Sequence, residues 1–160
     1  VQIAKMMGAT VTAVAGPANQ DLCKELGADF CIDYRQDNFE HGTPDQYDLV
    51  YDVIGRSSPA RCRRVLKRGG KYISTIPSPT VAWQVAVSRL LAPLGLLKGQ
   101  RAYMILVKAN TKDLDEMADA IASKKMVSLI DSHFPLDEAA KAFERSQTWR
   151  AKGKIILDVS

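Results

Sequence analysis

One stretch constrains the fold more than any other: Tyr47 to Ile76, YDLVYDVIGRSSPARCRRVLKRGGKYISTI. It reads as strand, tight turn, helix, turn, strand. Tyr47 to Ile54 is rich in β-branched and aromatic residues and almost continuously apolar, the pattern of a strand covered on both faces of a sheet. Gly55 ends it. Ser58 offers a hydroxyl that caps a helix, and Pro59 suits the first helical position, where a missing N–H costs nothing. Ala60, Val65 and Leu66 give that helix an apolar side and leave Arg61, Arg63 and Arg64 in water. Gly69-Gly70 stops it, and Lys71 to Ile76 forms the second strand. Such a unit needs a right-handed crossover and yields two parallel strands. Ligands of open parallel sheets sit beyond the carboxyl ends of the strands. Those ends are Val53-Ile54-Gly55 and Thr75-Ile76-Pro77, which are therefore expected to face a ligand.

The rest of the chain repeats the alternation. Val1 to Met7 has helical character without a cap, and Gly8 closes it. Thr10 to Ala15 reads as a strand, with Gly16-Pro17 turning out of it. Asn19 or Gln20 to Leu26 is a short helix with Leu22, Cys23 and Leu26 inward, and Asp29 to Asp33 is a brief strand. Tyr34 to Gln46 is polar and loop-like, and Pro77 to Gln100 has no clear assignment. Ala102 to Val107 is an apolar strand. Asp113 and Glu116 form a capping box for a helix through Ser123, with Leu114, Met117, Ala118 and Ile121 on one stripe. Leu129 to Phe134 is extended. Asp137 caps DEAAKAFER, with Ala140 and Phe143 inward, and Lys154 to Val159 is the last strand. Helices alternating with strands indicate an α/β fold with a mostly parallel sheet.

Composition narrows the function classes. At 160 residues, 46% hydrophobic and 25% charged, the chain can bury a core as one domain or one domain plus a piece of another. A net charge of +4 is too mild and dispersed to argue for nucleic acid. The densest basic run, Arg61 to Arg68, suits a solvated helix face. Cys23, Cys31 and Cys62 are odd in number and lack metal-ligand spacing, which favours a reducing, intracellular compartment (cytoplasm or mitochondrial matrix). Arg89 and Pro93 interrupt the apolar stretch Val81 to Leu97, so no membrane span is expected. His41 and His133 have no nucleophile or carboxylate pattern beside them in the sequence. No catalytic side chain and no metal ligand is assigned.

Six segments then carry a family resemblance: VQIAKMMGATVTAV, KELGADFCIDY, YDLVYDVIG, LKRGGKYISTI, FPLDEAAKAFE and GKIILDV. In this order they resemble the medium-chain dehydrogenase/reductase superfamily, and most of all its quinone oxidoreductase group, including the mitochondrial reticulon-interacting oxidoreductases. The resemblance implies a Rossmann-like, doubly wound parallel sheet that is incomplete. Its first strand and a glycine-rich turn would lie before Val1, so the chain is expected to be a C-terminal fragment. Residues 1–110 would be a partial dinucleotide-binding domain, and residues 111–160 a C-terminal α+β segment of the catalytic domain. The fragment alone is expected to be inactive, with Thr10 to Ala15 and the strand at Leu49 left unpaired around a gap.

The implied chemistry is hydride transfer between the nicotinamide of NADP, with NAD the alternative, and a quinone or enone-type carbonyl substrate, without metal. The implied cofactor contacts are Gly16, Tyr34, Val53, Ile54, Gly55, Thr75, Ile76, Leu106, Val107 and Lys152. Gly16 matches the strand end beside the adenosine ribose, where NAD enzymes often place a carboxylate. This chain has Ala15-Gly16-Pro17, and Asn19 stands where some relatives have a phosphate-binding lysine, a role open to Arg35 or Lys24. Tyr34 matches a tyrosine near the ribose phosphate. Val53, Ile54 and Gly55 match the pocket wall beside the adenine and nicotinamide ribose. Thr75 and Ile76 match the strand end near the nicotinamide. Leu106-Val107 match a segment meeting the carboxamide, and Lys152 a basic residue reaching the phosphates. A homodimer through the strand Ala102 to Val107 is also implied. Two rivals remain at this point: a nucleotide-binding or interaction module without catalysis, and an S-adenosylmethionine methyltransferase, which LVYDVIG followed by LKRGGKYI also resembles. Trp83 and Trp149 offer fluorescence reporters of nucleotide binding.

Overall fold

A computed structural model describes residues 1–106, 110–148 and 150–159. Val107 and Trp149 lie outside the described residues. The chain forms two compact units, one of Val1–Cys31 with Asn110–Ser160 and one of Ile32–Ala109.

The Ile32–Ala109 unit is built on three parallel strands in the order β3-β4-β5: β3 Tyr47–Asp52, β4 Leu66–Ser74 and β5 Arg101–Met104. Ser58 caps the four-residue helix α3, Pro59–Cys62, by accepting from the Arg61 N–H, and Pro59 occupies its first turn. Helix α4, Pro79–Leu91, crosses from β4 to β5. Val81, Val85 and Ser88 recur along it at helical spacing and face the sheet. They meet the row Val50–Tyr72–Ala102, which is in register across all three strands. Cys62, Val65, Leu66, Tyr72, Val81 and Ala102 form the core, with Phe39, Tyr47, Val50 and Val85 packed around it. Two polar side chains lock the layers. The Ser88 hydroxyl accepts from the Ala102 N–H at 3.0 Å, and the Gln100 amide donates to the carbonyls of Arg63, Leu66 and Lys67.

The other unit holds α1 (Gln2–Met6), β1 (Thr12–Ala15), α2 (Gln20–Glu25), α5 (Thr111–Ala122), β6 (Ile130–Pro135), α6 (Ala139–Gln147) and β7 (Lys154–Asp158). β6 and β7 pair in parallel, and β1 pairs with β2, Phe30–Asp33, the strand in which one unit gives way to the other. Here polar clamps outnumber apolar ones. Gln2 exchanges two hydrogen bonds with the backbone of Val127, and Asp29 accepts from the Lys5 ammonium and the Val11 N–H.

Several expectations need correction. β3 ends at Asp52, and only one of its faces is covered: Leu49 and Tyr51 remain 48% and 56% exposed. The helices of this unit pack on the Val50–Tyr72 side, so an apolar run did not mean two covered faces. The helix after Ser58 is only one turn. Cys62, not the exposed Ala60, is its inward residue, while Val65 lies in the following turn and Leu66 already begins β4. Gly69 and Gly70 lie inside β4, where the register jumps from Leu66 to Lys71; Gly69 takes φ +72°, the left-handed corner that lets the strand bulge. Pro77 to Gln100 contains the long helix α4. Asn110, not Asp113, caps α5 by accepting from the Lys112 N–H, and the Leu114–Met117–Ala118–Ile121 stripe is exposed. In α6 Glu138 precedes the helix without a side-chain cap. Ala142 turns inward, while Ala140 and Phe143 are exposed, because the Arg145 guanidinium on the Ala142 side is tied to Asp131.

Candidate functional site

Because β3, β4 and β5 are parallel and in register, their carboxyl ends lie level: Asp52 opposite Ser74, and Ser74 opposite Met104. Beyond them come Val53-Ile54-Gly55, Thr75-Ile76 and Ile105-Leu106. Val53, Ile54, Ile76 and Leu106 are all exposed there, Ile54 at 68% and Ile76 at 41%. Gly55 turns at φ +76°, and a Cβ added to it would come within 3.1 Å of the Ile76 side chain. Both facts require glycine: the backbone is left-handed, and the two strand ends touch. The sheet thus brings together Val53, Ile54, Gly55, Thr75, Ile76 and Leu106 at one edge.

Tyr34 follows β2 with its ring exposed, and no hydrogen bond ties it to that edge among the described residues. Gly16 and Lys152 belong to the other unit. Gly16 directly follows β1 with φ −76°, outside the left-handed region, and its carbonyl accepts from the Asn19 N–H. Lys152 donates its N–H to Asp131 at 2.9 Å, leaving its side chain exposed. Next to it, a Cβ on Gly153 would run into the Leu129 carbonyl oxygen, so the close approach of the chain entering β7 to the chain entering β6 excludes any side chain. Asp131 also accepts two bonds from the Arg145 guanidinium, which holds its carboxyl far below the usual carboxylate range. Of the cations considered for a ribose phosphate, Lys24 lies 3.8 Å from Asp21, and Arg35 follows Tyr34 with its N–H donated to Asp33.

The residue that organises the edge was not singled out from the sequence. Asp52, the last residue of β3, accepts from the N–H groups of Ile54, Gly55 and Ser57 at 3.0, 2.7 and 3.0 Å, and from the Tyr72 hydroxyl at 2.8 Å. Burial alone would raise its pKa. The Ser57 N–H, the Tyr72 hydroxyl and the Gly55 and Ile54 N–H groups outweigh that and hold it below the ordinary range. For Tyr72 burial and the bond to Asp52 act together and raise the phenol. Beneath the same turn, the Ser57 hydroxyl donates to buried Glu40 at 2.6 Å and lies 3.0 Å from Cys62. Glu40 in turn pairs with Arg61 at 2.7 Å. Burial pushes the Cys62 thiol up to about 11, so it stays protonated and unreactive. The signal for Asp52 was present: a carboxylate closing an apolar strand three residues before a glycine is an Asx-turn pattern.

His133 Nδ1 lies 3.2 Å from the Asp158 carboxylate on the adjacent strand, a pair that linear spacing does not reveal. Among the described residues no group of three or more His, Cys, Asp or Glu could hold a metal, so the residues do not fit a zinc site. No described helix is long and apolar enough to cross a membrane.

Known proteins share this arrangement. The sequence profile described as zinc-binding dehydrogenase matches residues 26–157. The chloroplast envelope quinone oxidoreductase homolog of Arabidopsis thaliana is 30% identical over 99% of this chain and 47% of its own length. The NADPH-dependent alkenal/one oxidoreductase, chloroplastic, of the same plant is 32% identical over 98% of the chain and 36% of its own length. The solved quinone oxidoreductase from Coxiella burnetii superimposes with a TM-score of 0.80 at 29% identity, covering 100% of this chain and 48% of its own. The chain therefore spans about half the length, or less, of these relatives. The chain belongs to the zinc-binding dehydrogenase family, in the quinone oxidoreductase-like branch of the medium-chain dehydrogenase/reductase superfamily.

Proposed function

We propose that the chain is the cofactor-binding part of an NAD(P)H-dependent oxidoreductase that passes hydride to a quinone or enone-type carbonyl substrate. The supporting observation is the level carboxyl edge of β3, β4 and β5, with Gly55 seated on Ile76 and apolar side chains exposed around them. That is where parallel α/β sheets bind nucleotides. The names of two relatives, a quinone oxidoreductase homolog and an NADPH-dependent alkenal/one oxidoreductase, point to the same chemistry.

In this reading a bound nicotinamide supplies the hydride, and the chain binds, orients and keeps water away. Val53, Ile54 and Ile76 present apolar surface to the rings, while Gly55 and Thr75 allow close backbone approach. Leu106-Val107 meets the carboxamide, Tyr34 and Lys152 serve the phosphates, and Gly16 lies by the adenosine ribose. Without a carboxylate after β1, NADP is preferred to NAD. Residues 1–110 act as the dinucleotide-binding part and 111–160 as a segment of the catalytic domain. β5, at the edge of its sheet, is the surface for a homodimer.

Titration with NADPH tests the reading. Quenching of Trp83, 71% exposed on α4, and enhancement of NADPH fluorescence are expected. NADPH should bind more tightly than NADH. Absence of saturable binding by either nucleotide would refute the cofactor assignment. We propose that the 160-residue chain by itself binds without turnover, so quinone reduction by it would refute that part alone.

A further inference from the structure

The turn after β3 has an unusual polarity. The N–H groups of Ile54 and Gly55 both point at the Asp52 Oδ1 atom, and that of Ser57 points at Oδ2. No peptide bond among the described residues is cis, and in a trans peptide the carbonyl points opposite to the N–H. The Val53 and Ile54 carbonyls are therefore directed away from Asp52. Neither accepts a hydrogen bond among the described residues, whereas the Arg56 carbonyl is taken by the Arg61 guanidinium at 3.2 Å. Tyr72 and the Glu40–Ser57 bond fix the carboxylate and the far end of the turn from below. The half-buried Asp52 carboxylate thus takes the N–H groups of Ile54, Gly55 and Ser57 and leaves two acceptors facing out beside Ile76.

We propose that Asp52 is a positioning residue for the cofactor: by holding these peptides it turns the Val53 and Ile54 carbonyls outward as an acceptor rim for the hydrogen-bond donors of the nicotinamide nucleoside half. This rests on the dinucleotide reading above. A ligand half that carries hydroxyl or amide N–H donors is favoured at these two carbonyls. Contact of Gly55 with Ile76 puts this rim beside the strand end assigned to the nicotinamide.

The test uses the 160-residue chain, its Asp52→Asn and Tyr72→Phe variants, and two probes: NADPH, and 2′-phospho-ADP-ribose, which lacks the nicotinamide. Asp52→Asn keeps one acceptor oxygen but sets an NH2 against the Ser57 N–H. It should weaken NADPH binding about tenfold while leaving 2′-phospho-ADP-ribose unchanged, a split that general destabilisation would not produce. In NMR spectra the Ile54, Gly55 and Ser57 amides should resonate downfield in the wild type, and the Ser57 signal should move upfield in the variant. Tyr72→Phe, which keeps the ring volume, should shift NADPH affinity in the same sense by about threefold, and it decides the matter if Asp52→Asn does not fold. Equal loss for both probes, no loss for either, or an unmoved Ser57 amide overturns the proposal. A wild type that binds neither probe overturns the cofactor reading and this proposal together. A wild type that binds both, with unaltered affinities in the variants, overturns only the role of Asp52.

Discussion

The two units of this chain are held together by different physics. In the Ile32–Ala109 unit, Cys62, Val65, Leu66 and Tyr72 are all but completely buried in one continuous apolar cluster. In the other unit the buried apolar residues, among the described residues, are the small Ala28 and Ala142. There the fold depends on directional contacts: Asp131 with Arg145 and Lys152, Asp29 with Lys5 and Val11, and Gln2 with Val127. Their key carboxylates differ in the same way. Asp52 is surrounded by neutral donors above a packed core, and Asp131, whose side chain is 6% exposed, is paired with a cation. Apolar packing is non-directional and tolerates small movements of the backbone. A clamp made of a few hydrogen bonds does not, because its strength falls steeply with angle.

The contrast makes opposed predictions for substitutions. The largest effect belongs to Leu66→Ala, which deletes buried methyl groups in the cluster. A loss of about 2–5 kcal/mol is expected in hydrogen-exchange protection of β3, β4 and β5. A loss below about 1 kcal/mol would mean that the cluster is not the stabilising element of its unit. Next comes Gly153→Ala. Its Cβ would meet the Leu129 carbonyl, and backbone cannot swing aside as a flexible side chain can. The expected cost is about 1–3 kcal/mol in protection of β6 and β7, with β3–β5 unaffected. An unchanged β6–β7 pair would show that the close approach is soft.

Acid sharpens the comparison. Both carboxylates have depressed folded-state pKa values, so each stabilises above the ordinary carboxylate pKa of about 3.9, and the contribution disappears as pH falls through the folded value. Asp131, held by a guanidinium, is lowered further than Asp52. On lowering the pH, the Ser57 and Gly55 amides should therefore lose protection before the Lys152 amide does. The reverse order would mean that the neutral donors around Asp52 outweigh the cation on Asp131.

How much of this was legible depended on how local the cause was. Ser58-Pro59 starts α3 as its residue types require, since both act on the adjoining turn. Gly55 marks a real corner. The edge residues Val53, Ile54, Gly55, Thr75 and Ile76 come together because parallel register follows from strand–helix–strand order alone. Asp52 was hidden because half of its meaning lies in Tyr72, brought beside it only by pairing of β3 with β4. Asp113 reads as the cap of α5 because Glu116 follows it at capping-box spacing, whereas the chain turns into the helix earlier and Asn110 takes that place. Phe143 went astray because apolar periodicity places the larger residue inside, whereas the ion pair of Arg145 with Asp131 decides which side of α6 faces the sheet.

The smallest predicted effect is the most direct test of the contrast. Leu114, Met117 and Ile121 form the apolar stripe that periodicity assigns to a core, yet all three are exposed. A substitution costs stability only in proportion to the contacts and the buried area it removes. Ile121→Ala should therefore change the thermal stability of the 160-residue chain by no more than about 0.5 kcal/mol, against several for Leu66→Ala. The gain in helix propensity from replacing a β-branched residue by alanine acts in the opposite sense and helps to cancel the remainder. If Ile121→Ala instead destabilised the chain as much as Leu66→Ala, the α5 stripe would be buried in solution. The unit containing α5 would then have an apolar core of its own, and the distinction between packed and clamped halves would fail.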